Sequence, residues 1–258
     1  MLVQPRLVVG EALQGLGAGS VMALPDGATR HIQVLRLQPG DEVWLLDGEG
    51  LAWVAHVAEM GRKAASVRLE APLVRAVELP VRLSMLVGVP ANDRMDALVE
   101  KATELGVWSI HPVLCERAVW RADGARADKK VAHWQGVAQA AAEQSGRMVV
   151  PKVQPVCSLA AALKSVQAAS PSASWHVLNP RATSSWGDRL DALRESALTA
   201  SSPLHWVTVS GPEGGLTDQE VAECESMGAQ GVRLGPRILR ADTAPLSLLA
   251  AVSAALER

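Results

Sequence analysis

Two glycine-rich segments near the carboxyl end carry residues that could hold a polar ligand. The first, residues 207–217, reads Val-Thr-Val-Ser-Gly-Pro-Glu-Gly-Gly-Leu-Thr, a β-branched stretch followed by glycines and a helix start. Thr217 with Glu220 three residues later has the spacing of a capping box, which satisfies the first amide groups of a helix. Glycines let a backbone approach a ligand closely, and the free amides at a helix start can bind polar atoms. Glycine density alone, however, favours an ordinary strand-to-helix turn.

The second segment, Arg-Leu-Gly-Pro-Arg-Ile-Leu-Arg-Ala-Asp-Thr-Ala-Pro-Leu, lies one predicted helix and strand further on. A short strand ends in Gly-Pro, and two arginines then bracket an apolar pair before a final helix, for which Asp242 or Thr243 suits the N-cap. Ile238 and Leu239 could press on a flat apolar ring, and Arg240 could meet a polyanion. Taken singly, this segment is typical of a surface loop with solvated arginines.

Other catalytic signatures are missing from the sequence. There is no phosphate-binding loop or dinucleotide fingerprint, and Ser210 is not part of a Gly-x-Ser-x-Gly nucleophile elbow. His31, His111 and His133 lie far apart, and the three cysteines lack the spacing of metal ligands. We therefore expect no metal site, and we interpret the cysteines as free thiols in a reducing compartment.

The composition is that of an ordinary soluble globular chain with one unusual property. Of its 258 residues, 48% are apolar and 20% are charged, and the net charge is −2. This balance argues against a highly basic nucleic-acid binder, although a basic stripe can coexist with an acidic remainder. Eight tryptophans accompany no phenylalanine or tyrosine, so base stacking would need tryptophan, histidine or the plane of arginine. Without a signal peptide or an apolar run of spanning length, we expect a cytoplasmic protein.

The first part of the chain is predicted to be rich in β-strands. Strand-like residues 42–46, 51–57 and 64–69 are separated by glycine-containing turns at residues 47–50 and 61–63. Short strands at this spacing predict a small barrel or meander.

The pattern changes near residue 80, where strands and helices begin to alternate. Such alternation predicts a parallel sheet covered on both faces, an α/β fold. We place the domain boundary at residues 72–80, which gives domains of residues 1–74 and 75–258. The predicted strands are residues 81–88, 108–114, 174–178, 205–210 and 232–234, and the main helices are residues 93–105, 129–146 and 243–256.

Taken together, the two glycine-rich segments strongly resemble the ribosomal RNA small subunit methyltransferase E family. The resemblance rests on Ser-Gly-Pro-Glu-Gly-Gly-Leu-Thr paired with Leu-Gly-Pro-Arg-Ile-Leu-Arg, separated by one helix and one strand. It extends in order over essentially the whole chain. Further matching segments are residues 31–37, 39–41, 46–48, 101–107, 110–112, 116–117, 142–147 and 179–182.

The resemblance implies a specific architecture. The second domain would be a SPOUT fold, whose C-terminal segment threads a loop to form a deep trefoil knot. Knots are so rare that the periodicity of a sequence cannot predict one. The first domain would be a PUA-like β-barrel that binds RNA. The protein would work as a homodimer in which the partner completes each site.

The resemblance also implies an activity, the methylation of N3 of a uridine in 16S ribosomal RNA of the small subunit, with S-adenosyl-L-methionine as cofactor. Loss of the N3 proton spreads negative charge onto O2 and O4, which an arginine can stabilise. We assign this role to Arg240, with Glu213 or Asp242 as candidate bases or orienting groups. The cofactor is expected on Ser210, Gly211, Pro212, Glu213, Gly215, Leu234, Gly235, Ile238, Leu239, Thr243 and Ala244.

Candidate RNA-binding residues are all arginines or lysines. In the first domain they are Arg6, Arg36 and, on charge alone, Arg30. In the second, a basic cluster is the most plausible phosphate-binding stretch, and Arg147 ends the family's Glu-Gln-x-Gly-Arg element. The cluster consists of Arg117, Arg121, Arg126, Lys129 and Lys130.

Two departures from the family pattern bear on these assignments. The family usually has aromatic residues after the early arginine, where this chain has Leu7-Val8-Val9, and it usually has Glu at the position of Asp242. Two alternatives stay open. One is a SPOUT methyltransferase that acts on another RNA position, such as a ribose 2′-hydroxyl, and the other is an RNA-binding dimer without turnover.

Overall fold

The computed structural model describes residues 4–91, 94–120 and 124–257. The chain divides into two compact units, and one of them is discontinuous in sequence. Unit 1 comprises Met1–Glu78 and Gln139–Val150, and unit 2 comprises Leu79–Ala138 and Pro151–Arg258. The sequence offered no sign that residues after 138 join the first unit, and the domain limits 1–74 and 75–258 remain a prediction.

Unit 1 is built on a five-stranded sheet of order β1-β3-β4-β5-β2. Strands β3, β4, β5 and β2 pair antiparallel, whereas β1 runs parallel to β3. The elements in chain order are β1 (Arg6–Val8), a 3-10 helix (Gly10–Leu13), β2 (Val21–Ala23), α1 (Asp26–Val34), β3 (Glu42–Leu46), β4 (Ala52–Met60) and β5 (Ala65–Pro72).

Local sequence determines much of this unit. The turn between β3 and β4 is held by Asp47, whose Oδ1 accepts hydrogen bonds from the amides of Glu49 (2.7 Å), Gly50 (3.0 Å) and Leu51 (2.9 Å). Alternate residues of β3, such as Val43 and Leu45, are fully buried, as one face of a half-covered sheet requires. The predicted strands are confirmed, but the nine-residue helix α1 was not predicted.

Residues 139–150 are held within unit 1 by an ion pair between a buried arginine and a partly exposed glutamate. The Arg147 side chain is 5% exposed, and its Nη2 lies 2.6 Å from Oε2 of Glu78. Glu78 also accepts hydrogen bonds through Oε1 from the amides of Met148 (3.0 Å) and Val149 (3.1 Å). Removing one partner of such a pair leaves an uncompensated buried charge, so the contact holds this segment firmly.

Unit 2 is a seven-stranded sheet in which every strand pairing is parallel. Its order is β12-β10-β11-β6-β7-β8, with β9 also paired to β7. The strands are β6 (Val81–Gly88), β7 (Ser109–Leu114), β8 (Lys152–Val153), β9 (Cys157–Ser158), β10 (Ser174–Leu178), β11 (Leu204–Ser210) and β12 (Gln230–Val232).

Helices alternate with these strands, as the α/β prediction required. They are α2 (Arg94–Glu104), α3 (Gly124–Ser145), which also contributes its last turns to unit 1, α4 (Leu159–Ala169), α5 (Trp186–Thr199), α6 (Asp218–Ser226) and α7 (Thr243–Leu256). Within the described ranges, no helix is both long and apolar enough to cross a membrane.

Most predicted boundaries in unit 2 are confirmed to within a residue or two. The strand predicted at residues 232–234 lies two residues earlier, because the chain pairs with β10 from Gln230 to Val232 and Arg233 then forms only an isolated bridge with Ser185. The helix predicted from Asp93 is described from Arg94, since Asp93 lies outside the described residues. The helix predicted at residues 129–146 begins earlier, at Gly124.

Candidate cofactor and active site

A cleft of about 600 Å³ lies at the carboxyl ends of strands β10, β11 and β12 in unit 2. Residues from the three loops that follow these strands line it. This edge of a parallel sheet is where α/β proteins generally bind ligands. Ten of the predicted cofactor residues line the cleft: Ser210, Gly211, Pro212, Glu213, Gly215, Leu234, Gly235, Ile238, Leu239 and Ala244.

The loop after β11 is anchored by the capping box that the sequence predicted. Thr217 Oγ1 accepts a hydrogen bond from the Glu220 amide (3.2 Å), and Glu220 Oε2 accepts one from the Thr217 amide (2.8 Å). Glu220 Oε1 also accepts a hydrogen bond from the amide of Glu116 (2.8 Å), beyond the end of β7. The start of α6 is therefore fixed against the carboxyl edge of the sheet.

Two glycines of this loop are required for different reasons. A Cβ atom on Gly211 would lie 2.7 Å from the amide nitrogen of Leu216, so packing within the loop excludes a side chain there. Gly215 has φ +69°, and a Cβ atom there would meet nothing within 4 Å, so only its left-handed backbone demands glycine. Gly215 thus leaves room in the cleft that a side chain would otherwise occupy.

Glu213 positions the loop rather than pointing freely into the cleft. Its two carboxylate oxygens accept hydrogen bonds from the amide of Ala91, at 3.0 and 3.2 Å. Arg94 Nη1 lies 3.3 Å from Oε1 of the same carboxylate. Because both carboxylate oxygens are already engaged by Ala91 and Arg94, these contacts favour a positioning role for Glu213 over that of a base.

Ser210 presents a polar group without a partner. It ends β11 and lines the cleft, and its buried Oγ has no hydrogen-bond partner among the described residues. A buried hydroxyl left unpaired is costly, so this atom is suited to a hydrogen bond with a bound ligand.

The loop before α7 supplies apolar and basic side chains. Leu234 and Leu239 are partly buried in the cleft wall, whereas the Ile238 residue is 80% exposed. Arg240 is exposed, lines the cleft and makes no hydrogen bond or ion pair through its guanidinium within the described part of the chain. The predicted position of Arg240 beside a ligand is therefore compatible with this geometry.

Asp242, one of the two residues predicted as candidates, is the N-cap of α7. Its Oδ1 accepts hydrogen bonds from the amide of Thr243 (2.9 Å) and from its hydroxyl (3.4 Å). Neither residue is among the described residues that line the cleft. The geometry therefore favours a capping role for Asp242, and the assignments of Asp242 as a base and of Thr243 to the cofactor remain predictions.

The candidate RNA-binding residues fall into different environments. Arg117 lines the cleft, and its Nη1 donates to the carbonyls of Gly214 (3.3 Å) and Leu216 (3.5 Å), which holds the loop after β11. Arg147 is buried against Glu78, so its position favours a structural role over contact with RNA.

The remaining basic candidates are mostly solvent-exposed. Arg30 and Arg36 in unit 1 and Arg126 and Lys129 on α3 are all exposed. Arg121, which belonged to the predicted cluster, lies outside the described residues. Within those ranges, no three His, Cys, Asp or Glu side chains converge as a metal site would require.

Sequence reasoning matched residues 179–182 to the family but did not assign them to the cofactor site. Asn179, Pro180 and Arg181 follow β10 and line the cleft, and Arg181 is paired with Asp218 at the start of α6. Their position directly after a predicted parallel strand was the signal that could have found them.

Comparison with known proteins agrees with this arrangement. A family model described as an RNA methyltransferase domain matches residues 77–253, and one described as an RNA methyltransferase PUA domain matches residues 24–70. The fold and the cleft thus define an RNA methyltransferase.

Individual relatives show which family of RNA methyltransferases the chain belongs to. Ribosomal RNA small subunit methyltransferase E of Bacillus subtilis is 32% identical, with 86% of this chain and 85% of the relative covered. The Synechocystis protein of the same name is 34% identical, with 87% and 70% covered. The crystal structure of the Neisseria gonorrhoeae protein bound to S-adenosyl methionine is 34% identical, covers 96% of both chains and has a TM-score of 0.83. The chain belongs to the ribosomal RNA small subunit methyltransferase E family.

Proposed function

We propose that the protein uses S-adenosyl-L-methionine to methylate N3 of a uridine in 16S ribosomal RNA of the small subunit. The observation that carries the proposal is the cleft at the carboxyl edge of the unit 2 sheet, which brings the two glycine-rich segments together. The Neisseria relative binds S-adenosyl methionine, and the Bacillus and Synechocystis relatives are named for small-subunit ribosomal RNA.

The residues of the cleft fit this cofactor. Leu234, Leu239 and Ala244 supply apolar surface for a flat ring, and the unpaired Oγ of Ser210 can bond to a polar atom. The glycine positions 211 and 215 keep side chains out of the space beside the backbone. When bound, the cofactor supplies the electrophilic methyl group, and the protein supplies position and electrostatics.

The site must also help to remove the proton from N3 of uridine, because N3 is a poor nucleophile while it carries that proton. As that proton leaves, negative charge grows on O2 and O4 of the base. Arg240 has an exposed guanidinium at the cleft, without a carboxylate partner in the described residues, and can donate two hydrogen bonds to a carbonyl oxygen. Stabilising this charge makes N3 more acidic, so the proton can leave to water even without a dedicated base.

The carboxylates of the cleft are already engaged. Glu213 is held by Ala91 and Arg94, and Asp218 is paired with Arg181. The pKa of Asp218 is lowered chiefly by its hydrogen bond from Arg181, which leaves it a poor base. We therefore propose Arg240 as the catalytic residue and Glu213 as a positioning residue.

The resemblance to the family supports three further proposals: that the protein is a homodimer through unit 2, that unit 2 contains a trefoil knot, and that it acts in the cytoplasm on the small ribosomal subunit. Sedimentation equilibrium would measure the first directly. A monomer at the concentrations at which the protein is active would overturn the dimer.

Calorimetry with S-adenosyl-L-methionine, followed by methylation of small subunits from a strain lacking the gene, tests the proposed function. We expect cofactor binding and one new base methylation at N3 of a uridine, located by nucleotide mapping. Methylation of a ribose hydroxyl would favour the alternative acceptor position. Binding of RNA without cofactor affinity would favour an RNA-binding dimer without turnover.

A further inference from the structure

Two arginines of unit 1 share one tryptophan ring. The Cζ atom of Arg6 lies 5.6 Å from the centroid of the Trp44 ring, and that of Arg75 lies 5.2 Å from it. The indole nitrogen of Trp44 donates a hydrogen bond to Oε1 of Glu42 (3.0 Å), which fixes the orientation of the ring. Arg6 comes from β1, Trp44 from β3 and Arg75 from the segment after β5, so the fold gathers them from three separate stretches of chain.

The first of these arginines is held rigidly by backbone atoms. Arg6 Nη1 donates hydrogen bonds to the carbonyls of Glu143 (3.1 Å) and Gln144 (2.8 Å) in the last turn of α3. Gly146 packs so closely that a Cβ atom there would lie 2.8 Å from Cζ of Arg6. The carbonyl end of a helix carries partial negative charge, which compensates part of the charge of Arg6.

In the part of the chain that the structure describes, the second arginine has no ion-pair partner. Arg75 is exposed and makes no hydrogen bond or ion pair within residues 4–91, 94–120 and 124–257. Glu42 is engaged with the indole of Trp44 and forms no ion pair with either arginine in those ranges. Glu143 uses Oε1 for the amide of Val8 (2.8 Å), and its Oε2 lies 3.6 Å from His31.

The two guanidinium groups repel each other. The pKa of Arg6 is lowered first by burial and then by the positive charge of Arg75. Among the described residues, neither of these two cations beside one ring forms an ion pair, so they offer a surface that an anion would stabilise. The N–H groups of Arg75 make no hydrogen bond in the described residues, and the planar fork of a guanidinium matches the oxygens of a phosphate.

We propose that Arg6 and Arg75, oriented by Trp44, form a binding subsite for a phosphodiester of the RNA substrate. The proposal rests on the proposed function, since it takes the anion to be RNA. Arg6 is already held by the carbonyls of Glu143 and Gln144, so this half of the subsite is preorganised. Its contact is with the backbone of the RNA, and it positions the substrate without reading its sequence.

The decisive variant is Arg75→Ala, because this exposed side chain holds no other described part of the fold. Arg62→Ala is the matched control, since Arg62 is an exposed arginine of the same unit whose side chain makes no hydrogen bond or ion pair in the described residues. Affinity for a labelled fragment of small-subunit ribosomal RNA is measured at several salt concentrations. Loss of one phosphate contact should weaken binding about tenfold and flatten the slope of log affinity against log salt by about one.

Arg75→Lys adds a second comparison. It keeps the charge but loses the planar group on Trp44, so we expect it to restore the salt slope and only part of the affinity. S-adenosyl-L-methionine affinity should stay at the parent value in all three variants. An RNA affinity and salt slope for Arg75→Ala equal to those of the parent, or equal losses in Arg75→Ala and Arg62→Ala, would overturn the subsite.

Inorganic pyrophosphate separates RNA from a free phosphate ligand. If pyrophosphate raises the melting temperature of the parent but not of Arg75→Ala, while RNA affinity is equal in the two, the site takes a free anion and our assignment is wrong. A different experimental result would show that the proposed function itself is wrong. The parent would then lack cofactor binding or methyl transfer, whatever the effect of Arg75→Ala on RNA affinity.

Discussion

Gly88 and Pro212 are in contact so close that no side chain fits between them. A Cβ atom on Gly88 would lie 2.6 Å from both Cδ and the ring nitrogen of Pro212. Gly88 is the last residue of β6, and Pro212 lies in the cleft loop that follows β11. Even a methyl group at this strand end would therefore displace the loop that we expect to hold the cofactor.

Gly88→Ala should weaken S-adenosyl-L-methionine binding about tenfold, because the rigid Pro212 ring must move away from the cleft wall. Gly136→Ala is the control, since a Cβ there, on α3, would meet nothing within 4 Å. Calorimetry measures the affinities, and the control should bind normally and be stabilised by about 0.5–1 kcal/mol. Parent-like affinity in Gly88→Ala would show that the loop is not part of the cofactor site.

Gly215→Val tests the second glycine of the loop. We expect the protein to stay folded and to lose cofactor binding, because the left-handed φ of +69° resists a β-branched residue and the new side chain would enter the cleft. Gly228→Val is the matched control. Gly228 has φ +87°, a Cβ atom there would also meet nothing within 4 Å, and the residue does not line the cleft. Melting curves should show similar destabilisation of both, with cofactor affinity lost only at Gly215.

Arg240→Lys tests the catalytic assignment. If the guanidinium stabilises charge on the base, kcat should fall on the order of 10²–10³-fold with cofactor affinity nearly unchanged. If Arg240 instead grips a phosphate, RNA binding should weaken and turnover at saturating RNA should stay normal. Single-turnover kinetics at saturating RNA distinguish the two, and a melting curve detects a purely structural effect.

Arg36 occupies a position where glycine is preferred. Its φ is +57°, and the amides of Arg36 and Leu37 close the end of α1 on the carbonyls of Gln33 (3.0 Å) and Ile32 (3.1 Å). Arg36→Gly should be neutral or stabilising by about 1 kcal/mol, because the left-handed strain is relieved. If the side chain contacts RNA, Arg36→Gly and Arg36→Ala should lose equal affinity despite different stabilities. Urea unfolding and RNA titration test this, and unchanged RNA affinity in both variants would rule out the contact.

A chain of four polar side chains crosses the amino end of the unit 2 sheet. His205 Nε2 lies 2.8 Å from Oγ of Ser84, which lies 2.7 Å from Oγ of Ser109, which in turn lies 3.0 Å from Nε2 of His111. Each of these three hydrogen bonds needs one proton, and the two serine hydroxyls supply two of them. The third proton must come from Nε2 of one histidine, and Nε2 of the other histidine must accept. Nitrogen NMR shifts should show opposite tautomers for the two neutral rings. Two rings of the same tautomer would contradict the network.

Three histidines of unit 2, two of them in this chain of side chains, predict a loss of stability in acid. Burial is the main cause that lowers the pKa of His111 and of His176 to about 4, and it also lowers that of His205. In the unfolded chain these groups take up protons near pH 6.5, whereas in the folded chain they stay neutral. The free energy of unfolding should therefore fall as pH drops from about 6.5 towards about 4. Urea unfolding across this range measures it, and His176→Gln should reduce the slope.

Local patterns predicted the parts of this molecule that local interactions determine. Strands β3 and β6, the capping box at Thr217 and the cap at Asp242 depend on neighbours a few residues away. The sequence did not predict helix α1, which is short and contains Gly27.

Long-range contacts explain why the sequence did not predict the surroundings of two candidate site residues. Glu213 was considered as a base because its partner, the amide of Ala91, is distant in sequence. Arg147 was assigned to RNA because its partner Glu78 is equally remote. The order of strands brings such residues together, and the periodicity of one sequence does not reveal that order.

The discontinuity of unit 1 also affects how the chain is made. An amino-terminal domain usually folds first during synthesis. Here Arg6 finds its carbonyl partners in Glu143 and Gln144, and Glu78 finds its counter-ion in Arg147, all translated much later. On a translating ribosome, we therefore expect residues 1–78 to stay open to protease until residue 150 has emerged. Arrested nascent chains of increasing length would show protection of the first unit appearing only then, so its folding is timed by the synthesis of α3.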